Sequence, residues 1–254
     1  MQTFGIRAAI AAVLALMLVV ADPVAAQTPG AAATANAVPR IEIYHAEGRR
    51  SERIVWLCEE LGLPYELHYV RGDVAASFAA IRRVNPDMAV APTVIYNGEV
   101  LMESASIMQL LLDRHGGGRL MPPVDSPDYP AHLRFMHFAE GTLAADVVAD
   151  YRTARATTGL APRGEETDGQ RAMRYADSFL AKHPYFGGEI FSAADIMMVF
   201  PIAFATRMNV ADASLYPNIA GWVERVESRP AFKRMLATAR PDGRVSPPPA
   251  LRVE

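Results

Sequence analysis

The chain has 254 residues, with 25 lysines and arginines against 28 aspartates and glutamates. This near-balance of charge gives no electrostatic reason to expect binding to nucleic acid or to an anionic membrane surface. The single cysteine, Cys58, excludes an internal disulfide, a CxxC redox pair and a cysteine-rich zinc site. The six histidines are scattered along the chain, and we expect no metal site.

The N-terminus predicts a secretory signal. Arg7 precedes an uncharged run over residues 8–21, and small residues follow up to Ala26. A basic start, a short apolar core and small residues are typical of a signal peptide, here residues 1–26 with cleavage after Ala26. The run is short for a membrane span, which needs about 20 apolar residues. We therefore expect export to a bacterial periplasm or its equivalent, with an uncleaved inner-membrane anchor as the alternative.

The chain becomes regular only from residue 41, because residues 27–40 lack periodicity and have the composition of a disordered spacer. The periodicity then predicts strands and helices in alternation. These are a strand over 41–44, a helix over 51–61, a strand over 65–70, a helix over 76–84, two short hairpin strands and a helix over 104–115. The order β-α-β-α-β-β-α predicts an α/β thioredoxin-like domain over residues 41–118, whose first two strands are parallel.

The hairpin is the most informative segment of this domain. Asn97 and Gly98 separate two short apolar runs, which indicates a type I′ turn because both central residues of that turn need a positive φ. Pro92 opens the first strand, where its missing N–H is tolerated. Ser104 is expected to cap the next helix through its hydroxyl, with Glu103 beside it. An ordinary hairpin followed by an ordinary cap is the alternative interpretation.

The second half of the chain, residues 126–240, predicts an all-α domain. Residues 127–157 form one long helical stretch, and a loop is expected at 159–166. Capping boxes start two further helices, and a proline lies inside the second of them. Two terminal helices and a flexible tail over 241–254 complete the domain. The capping boxes are Thr167 with Gln170 and Ser192 with Asp195, the internal proline is Pro201, and the terminal helices are expected at 216–228 and 231–239.

Three sequence elements carry a resemblance to a known family. They are Ala91-Pro92 with Glu103-Ser104, the segment from Phe191 to Ile196, and the segment 217–222 with Arg229-Pro230-Ala-Phe. In this order and spacing they resemble the glutathione S-transferase superfamily over nearly all of residues 41–239. The resemblance implies a thioredoxin-like domain followed by an all-α domain, glutathione as co-substrate, no metal, and a homodimer.

The resemblance also implies how glutathione is held. The backbone at Val90 and Ala91, before a cis bond to Pro92, meets the cysteinyl part of the ligand, and a cis bond is cheap only before proline. Ser104 and the helix N–H groups take the γ-glutamyl carboxylate. Glu103 takes the γ-glutamyl ammonium. Capping alone would account for Ser104 and leave Glu103 without a particular role.

The sequence offers three candidates for the group that activates the thiol. Relatives place a hydroxyl or a thiol near the first strand–helix junction, and here Arg49 occupies the usual position of the serine. Ser51 could donate a hydrogen bond worth about 1.5–3 kcal/mol, and an arginine at ~4 Å could contribute up to about 4 kcal/mol. Either would meet the ~2.7 kcal/mol that a shift of two pKa units requires. Tyr44 is a third candidate, and the alternative is that Arg49 and Arg50 lie in a solvated loop.

The expected function is that of a glutathione S-transferase-like enzyme which conjugates or reduces small hydrophobic electrophiles. The alternative is a non-catalytic binding or assembly module of the same fold, with a degraded thiol-activating site. This alternative is motivated by Arg49 in place of a hydroxyl. Cys58 lies in the middle of a helix between apolar residues, so a structural thiol is expected there.

Overall fold

The computed structural model describes residues 38–156 and 166–243. The predicted signal peptide, most of the spacer, nearly all of the loop at 159–166 and the end of the tail lie outside the described residues. Within the two described ranges, no helix has the length and apolar character that a membrane span requires.

The N-terminal half contains one four-stranded sheet in the order β2-β1-β3-β4. Strand β1 is parallel to β2 and antiparallel to β3, and β4 is antiparallel to β3. The strands are β1 (Ile41–Tyr44), β2 (Glu66–His68), β3 (Thr93–Tyr96) and β4 (Glu99–Met102). This topology confirms the thioredoxin-like arrangement. The φ angles of Asn97 and Gly98, 51° and 92°, also confirm the positive-φ turn between β3 and β4.

Helices pack on this sheet and make up the second half of the described chain. They are α1 (Glu52–Leu61), α2 (Val74–Val84), α3 (Ser104–Leu111), α4 (Tyr129–Phe138), α5 (Ala145–Ala156), α6 (Asp168–Leu180), α7 (Ala193–Arg207), α8 (Pro217–Glu227) and α9 (Pro230–Ala239). A short 3₁₀ turn, Ala213–Leu215, precedes α8. Helix α1 packs against α9 and α7, so the sheet domain and the helical domain share one hydrophobic core.

Four elements differ from the sequence prediction. Strand β2 has three residues instead of six, because only Glu66, Leu67 and His68 have partners on the four-residue β1. Helix α2 begins two residues early, since the Asp73 side chain accepts a hydrogen bond from the Ala76 N–H and caps it. The long helical stretch is interrupted by a π-helical segment, Ala139–Ala144, between α4 and α5, and α3 likewise continues into the π-helical segment Leu112–Gly116.

The Asp195 carboxylate joins three parts of the helical domain. Both predicted capping boxes are present, and the one at Ser192 and Asp195 is fully buried. Asp195 accepts hydrogen bonds from the backbone N–H groups of Phe186 and Ser192 and from the indole N–H of Trp222, at 2.8–2.9 Å. One side chain therefore fixes the start of α7, the loop before it and the central tryptophan of α8.

We expect Asp195→Ala to lower the free energy of unfolding by about 3 kcal/mol or more. Three buried donors lose their acceptor, and each unsatisfied donor costs about 1–3 kcal/mol. The matched control is Thr167→Ala, which removes the partly exposed capping box of α6 and is expected to cost about 1 kcal/mol. Urea unfolding of both variants measures the difference, and equal losses would contradict this role of Asp195.

Candidate functional site

One cavity brings the expected ligand-binding residues together. It has a volume of about 210 Å³ and lies between the sheet domain and the π-helical segment after α4. Its lining consists of Arg50, Val90, Ala91, Pro92, Glu103, Ser104 and Glu140. All five residues expected to hold glutathione are in this set, and Arg50 and Glu140 join them.

One edge of the cavity is the segment from Val90 to Pro92. The Ala91–Pro92 peptide bond is cis. The Thr93 hydroxyl donates a 2.7 Å hydrogen bond to the Val90 carbonyl, which holds the segment against the start of β3. Val90 and Ala91 therefore border the cavity just before the start of β3.

The other edge of the cavity is the start of α3, and here the prediction that Ser104 caps the helix is wrong. Ser104 is the first residue of the helix, and Glu103 occupies the cap position without a side-chain capping bond. Glu103 has a φ of 68°, a left-handed conformation that costs a non-glycine residue about 1–3 kcal/mol. The Ser104 hydroxyl is buried and has no hydrogen-bond partner. A buried, unsatisfied hydroxyl at a helix N-terminus is a feature that an anionic ligand would satisfy.

Another wall of the cavity is an ion cluster of Arg50, Arg53 and Glu140, in which Glu140 comes from the helical domain. The Nε–H of Arg50 donates to both carboxylate oxygens of Glu140, at 2.8 and 2.9 Å. Arg53, only 2% exposed, donates to Glu140 and to the Met197 carbonyl. Burial alone would raise the pKa of Glu140, but the two arginines outweigh it and lower this pKa. Two guanidinium groups share one carboxylate, so the cluster keeps a net positive charge.

Phe200 supports this cluster from α7. The Arg50 guanidinium lies 4.6 Å and the Arg53 guanidinium 5.4 Å from the centre of its ring. Both distances are within the range of cation–π contacts. Arg50 is therefore held by a carboxylate and an aromatic ring of the helical domain, and it does not lie in a solvated loop.

Two residues that line the cavity, Arg50 and Glu140, were not predicted as site residues. Arg50 and Arg53 are three residues apart, which puts two arginines on one face at the start of α1. Because like charges repel at this spacing, an acidic partner is expected beside them. That spacing was the available signal. Glu140 had none, because it depends on the π-helical segment, and π-helical turns are frequent at functional sites without a reliable sequence signature.

None of the three predicted thiol-activating residues lines this cavity. Tyr44 stacks on His68 of the neighbouring strand, with ring centres 4.7 Å apart. Arg49 lines a different cavity, between α1 and α7. Ser51 is fully buried, and its Oγ lies 2.8 Å from Nδ1 of His45.

The hydrogen bonds of His45 determine what Ser51 can do. His45 Nε2 lies 2.7 Å from the Ala239 carbonyl, which can only accept, so Nε2 carries the proton. In the neutral ring Nδ1 is then the acceptor, and the Ser51 hydroxyl donates to it. The Ser51 Oγ also accepts from the Ala46 N–H at 3.2 Å. The Ser51 hydroxyl proton is therefore already donated to His45 inside the core.

Burial lowers the pKa of His45 to about 4, and this predicts a pH dependence of stability. Between the ordinary value of 6.5 and about 4, the unfolded chain binds a proton that the folded chain rejects, so stability falls as the pH falls. The loss attributable to His45 is roughly 3 kcal/mol when complete. Buried His132, with a pKa also lowered to about 4, adds to the same slope.

Urea unfolding at pH 7 and pH 5 checks this prediction. His45→Asn should reduce the loss of stability between the two pH values, because the suppressed protonation of His45 is removed. The exposed His137 provides the matched control, and His137→Asn should keep the wild-type slope. An unchanged slope in His45→Asn would contradict the assignment.

The four-stranded sheet, the cis proline beside a cavity and the helical second domain together make a thioredoxin-like fold of the glutathione S-transferase type. Residues 43–119 match the family model of the glutathione S-transferase N-terminal domain, and residues 164–230 match that of the C-terminal domain. The chain is 31% identical over 209 residues to Glutathione S-transferase 3 of Schizosaccharomyces pombe, which covers 76% of this chain and 85% of the relative. The chain belongs to the glutathione S-transferase family.

Two further comparisons show the range of the family. The Disulfide-bond oxidoreductase YfcG of Escherichia coli is 26% identical over 210 residues, which is 79% of this chain and 96% of the relative. A glutathione transferase homologue from Lodderomyces elongisporus, crystallised with two GSH per subunit, is similar in fold. Its TM-score is 0.62 at 20% sequence identity, with 77% of this chain and 97% of that chain covered.

Proposed function

We propose that the chain binds glutathione in the cavity at Pro92 and uses the thiolate to conjugate or reduce small hydrophobic electrophiles. The observation that carries the proposal is the buried, unpartnered hydroxyl of Ser104, in one cavity with Glu103 and the Ala91–Pro92 bond. A structural cap would have satisfied that hydroxyl. A ligand with a carboxylate would satisfy it instead.

The chemistry of glutathione fits both edges of the cavity. Its γ-glutamyl end carries a carboxylate and an ammonium group on one carbon. The Ser104 hydroxyl and the first N–H groups of α3 suit the carboxylate, and the exposed carboxylate of Glu103 suits the ammonium. The peptide groups of the cysteinyl part suit the backbone at Val90 and Ala91, where β3 has not yet begun.

Isothermal titration with glutathione tests the binding. We expect Ser104→Ala and Glu103→Gln each to weaken binding at least tenfold, because a hydrogen bond to a charged group is worth about 1.5–3 kcal/mol. Ser228→Ala and Glu99→Gln are matched controls at exposed positions outside the cavity and should bind as the wild type does. Absence of wild-type binding at millimolar glutathione would overturn the proposal, as would unchanged affinity in both cavity variants.

For the thiol we assign the role expected of Arg49 to Arg50. Arg50 lies at the strand–helix junction, where relatives place the activating group, and it lines the cavity. The pKa of a free thiol is about 8.5 and must fall to near neutrality. A guanidinium that shares Glu140 with Arg53 keeps positive charge available for a thiolate, and its position is fixed before the ligand arrives.

Arg50→Gln should raise the pKa of bound glutathione by about one unit or more, since one unit corresponds to 1.36 kcal/mol of lost charge stabilisation. Arg50→Lys retains the charge and should recover part of the shift. Arg49→Gln should leave this pKa unchanged, because Arg49 faces another cavity. Ultraviolet titration of the thiolate on glutathione-saturated protein measures all three. A shift in Arg49→Gln without one in Arg50→Gln would reverse the assignment.

Reduction of disulfides, the activity in the name of the E. coli relative, would need thiols from glutathione alone. Burial raises the pKa of Cys58 to about 12, so this thiol does not ionise at neutral pH. Two glutathione molecules would supply both electrons, and the products would be glutathione disulfide and two thiols.

A non-catalytic glutathione-binding module is the second candidate. It is favoured by the position of Ser51, because within the described residues no hydroxyl or thiol of the β1–α1 junction lines the cavity. Tight binding of glutathione with an unshifted thiol pKa would support this candidate. Export with cleavage after Ala26 and assembly as a homodimer stay predictions in either case.

A further inference from the structure

Three side chains that can bind a metal ion meet on one face of the sheet, at the strand pair β1 and β2. The register pairs Glu42 of β1 with Glu66 of β2, and His68 lies two residues further along β2. Side chains alternate between the two faces of a strand, so Glu66 and His68 point to the same side. Glu42 lies on the face opposite to Ile41 and Ile43, which are buried in the hydrophobic core.

The spacing of these residues along the chain does not indicate a cluster. Glu42 is separated from Glu66 and His68 by helix α1, and the six histidines are scattered, which is why the sequence predicts no metal site. The parallel pairing of β1 with β2 is the contact that brings the three side chains together.

The distances within the cluster suit a single ion. One oxygen of each glutamate and one imidazole nitrogen all lie within 4.8 Å of one another. Nε2 of His68 is 3.5 Å from Oε2 of Glu42 and 3.7 Å from Oε2 of Glu66. Ligand atoms at about 2.0–2.2 Å from a tetrahedral zinc ion are roughly 3.3–3.6 Å apart. Small movements of the side chains would therefore place all three groups around one ion.

The imidazole nitrogen of His68 lacks a partner within the described residues. Its Nε2 atom is buried and makes no hydrogen bond. Tyr44 stacks on the imidazole, with ring centres 4.7 Å apart, and this contact restricts the orientation of the ring. A proton on Nε2 could be donated to one carboxylate at a time, whereas a divalent cation accepts electron pairs from all three groups at once.

The charge around the cluster also favours a cation. Glu42 and Glu66 contribute two negative charges, and Arg40 contributes one positive charge, since its guanidinium lies 3.0 Å from Oε1 of Glu42. The Arg40 side chain is 71% exposed, and such exposed pairs are weak. Oε2 of Glu42, the oxygen nearest to His68, remains for an ion. Burial first, and then the charges of Glu42 and Glu66, raise the pKa of Tyr44, as expected beside a negative cluster.

We propose that Glu42, Glu66 and His68 bind a divalent transition-metal ion of the zinc type, with water in the fourth position. Carboxylates and imidazole are ligands that zinc accepts, and three protein ligands leave one position of a tetrahedral site open. The side chains of Glu66 and His68 are 63% and 38% exposed, so the ion and its water can enter from solvent. None of the three residues lines the cavity at Pro92, and the inference does not rest on the proposed function.

Isothermal titration of the full chain with zinc chloride tests the site, after treatment with EDTA and removal of the chelator. Glutathione is left out, because its thiol also binds zinc. We expect saturable binding of one ion per chain. Because β1 and β2 are paired only in the folded chain, zinc should also raise the melting temperature. Absence of saturable binding at submillimolar zinc would overturn the proposal.

Three variants locate the ion. His68→Phe keeps an aromatic ring against Tyr44 but removes the nitrogen, and Glu42→Gln and Glu66→Gln keep the length of the side chain. Each should weaken zinc binding at least tenfold, because even residues that only support a ligand contribute about 10–100-fold to metal affinity. Since Glu66 is exposed, Glu66→Gln provides the test even if a change at His68 affects folding.

Two matched controls remove the same kinds of group elsewhere. His137→Phe changes an exposed histidine of α4, and Glu99→Gln changes an exposed glutamate of β4 in the same sheet. Both should keep the affinity of the wild type and its rise in melting temperature with zinc. Unchanged affinity in folded His68→Phe and Glu66→Gln would overturn the site, as would an equal loss in His137→Phe. Thermal melts without zinc show which variants are folded.

Discussion

The carboxylate of Glu140 makes the interaction on which two cavities depend, the one at Pro92 and the one between α1 and α7. It comes from the helical domain and accepts hydrogen bonds from Arg50 and Arg53 at the start of α1. Arg53 is buried, and a buried guanidinium without a partner costs several kcal/mol. The helical domain therefore has to lie where Glu140 can reach α1. The same contact holds Arg50 at the cavity at Pro92, and Phe200, whose ring Arg50 covers, lines the cavity between α1 and α7.

The β1–α1 junction shows why a hydroxyl there need not be catalytic. Ser51 lies at the right place in the sequence. In the core, however, its hydroxyl donates to His45 and accepts from the Ala46 N–H. His45 in turn donates to the Ala239 carbonyl at the end of α9, so the pair connects the first strand to the last helix. A serine that holds the two ends of the fold together cannot also donate to a thiolate. In the proposed mechanism, the positive charge of Arg50 takes that role at the cavity.

Local signals predicted much of the fold. The turn at Asn97-Gly98, both capping boxes and the β-α-β-α-β-β-α order are set by residues close in sequence, and the structure confirms them. The same holds for the segments at Pro92 and Ser104, which meet in one cavity. What the sequence could not predict depends on contacts between distant residues. The π-helical turn that carries Glu140, and the choice of Arg50 over Arg49 at the cavity, are set by packing between the domains.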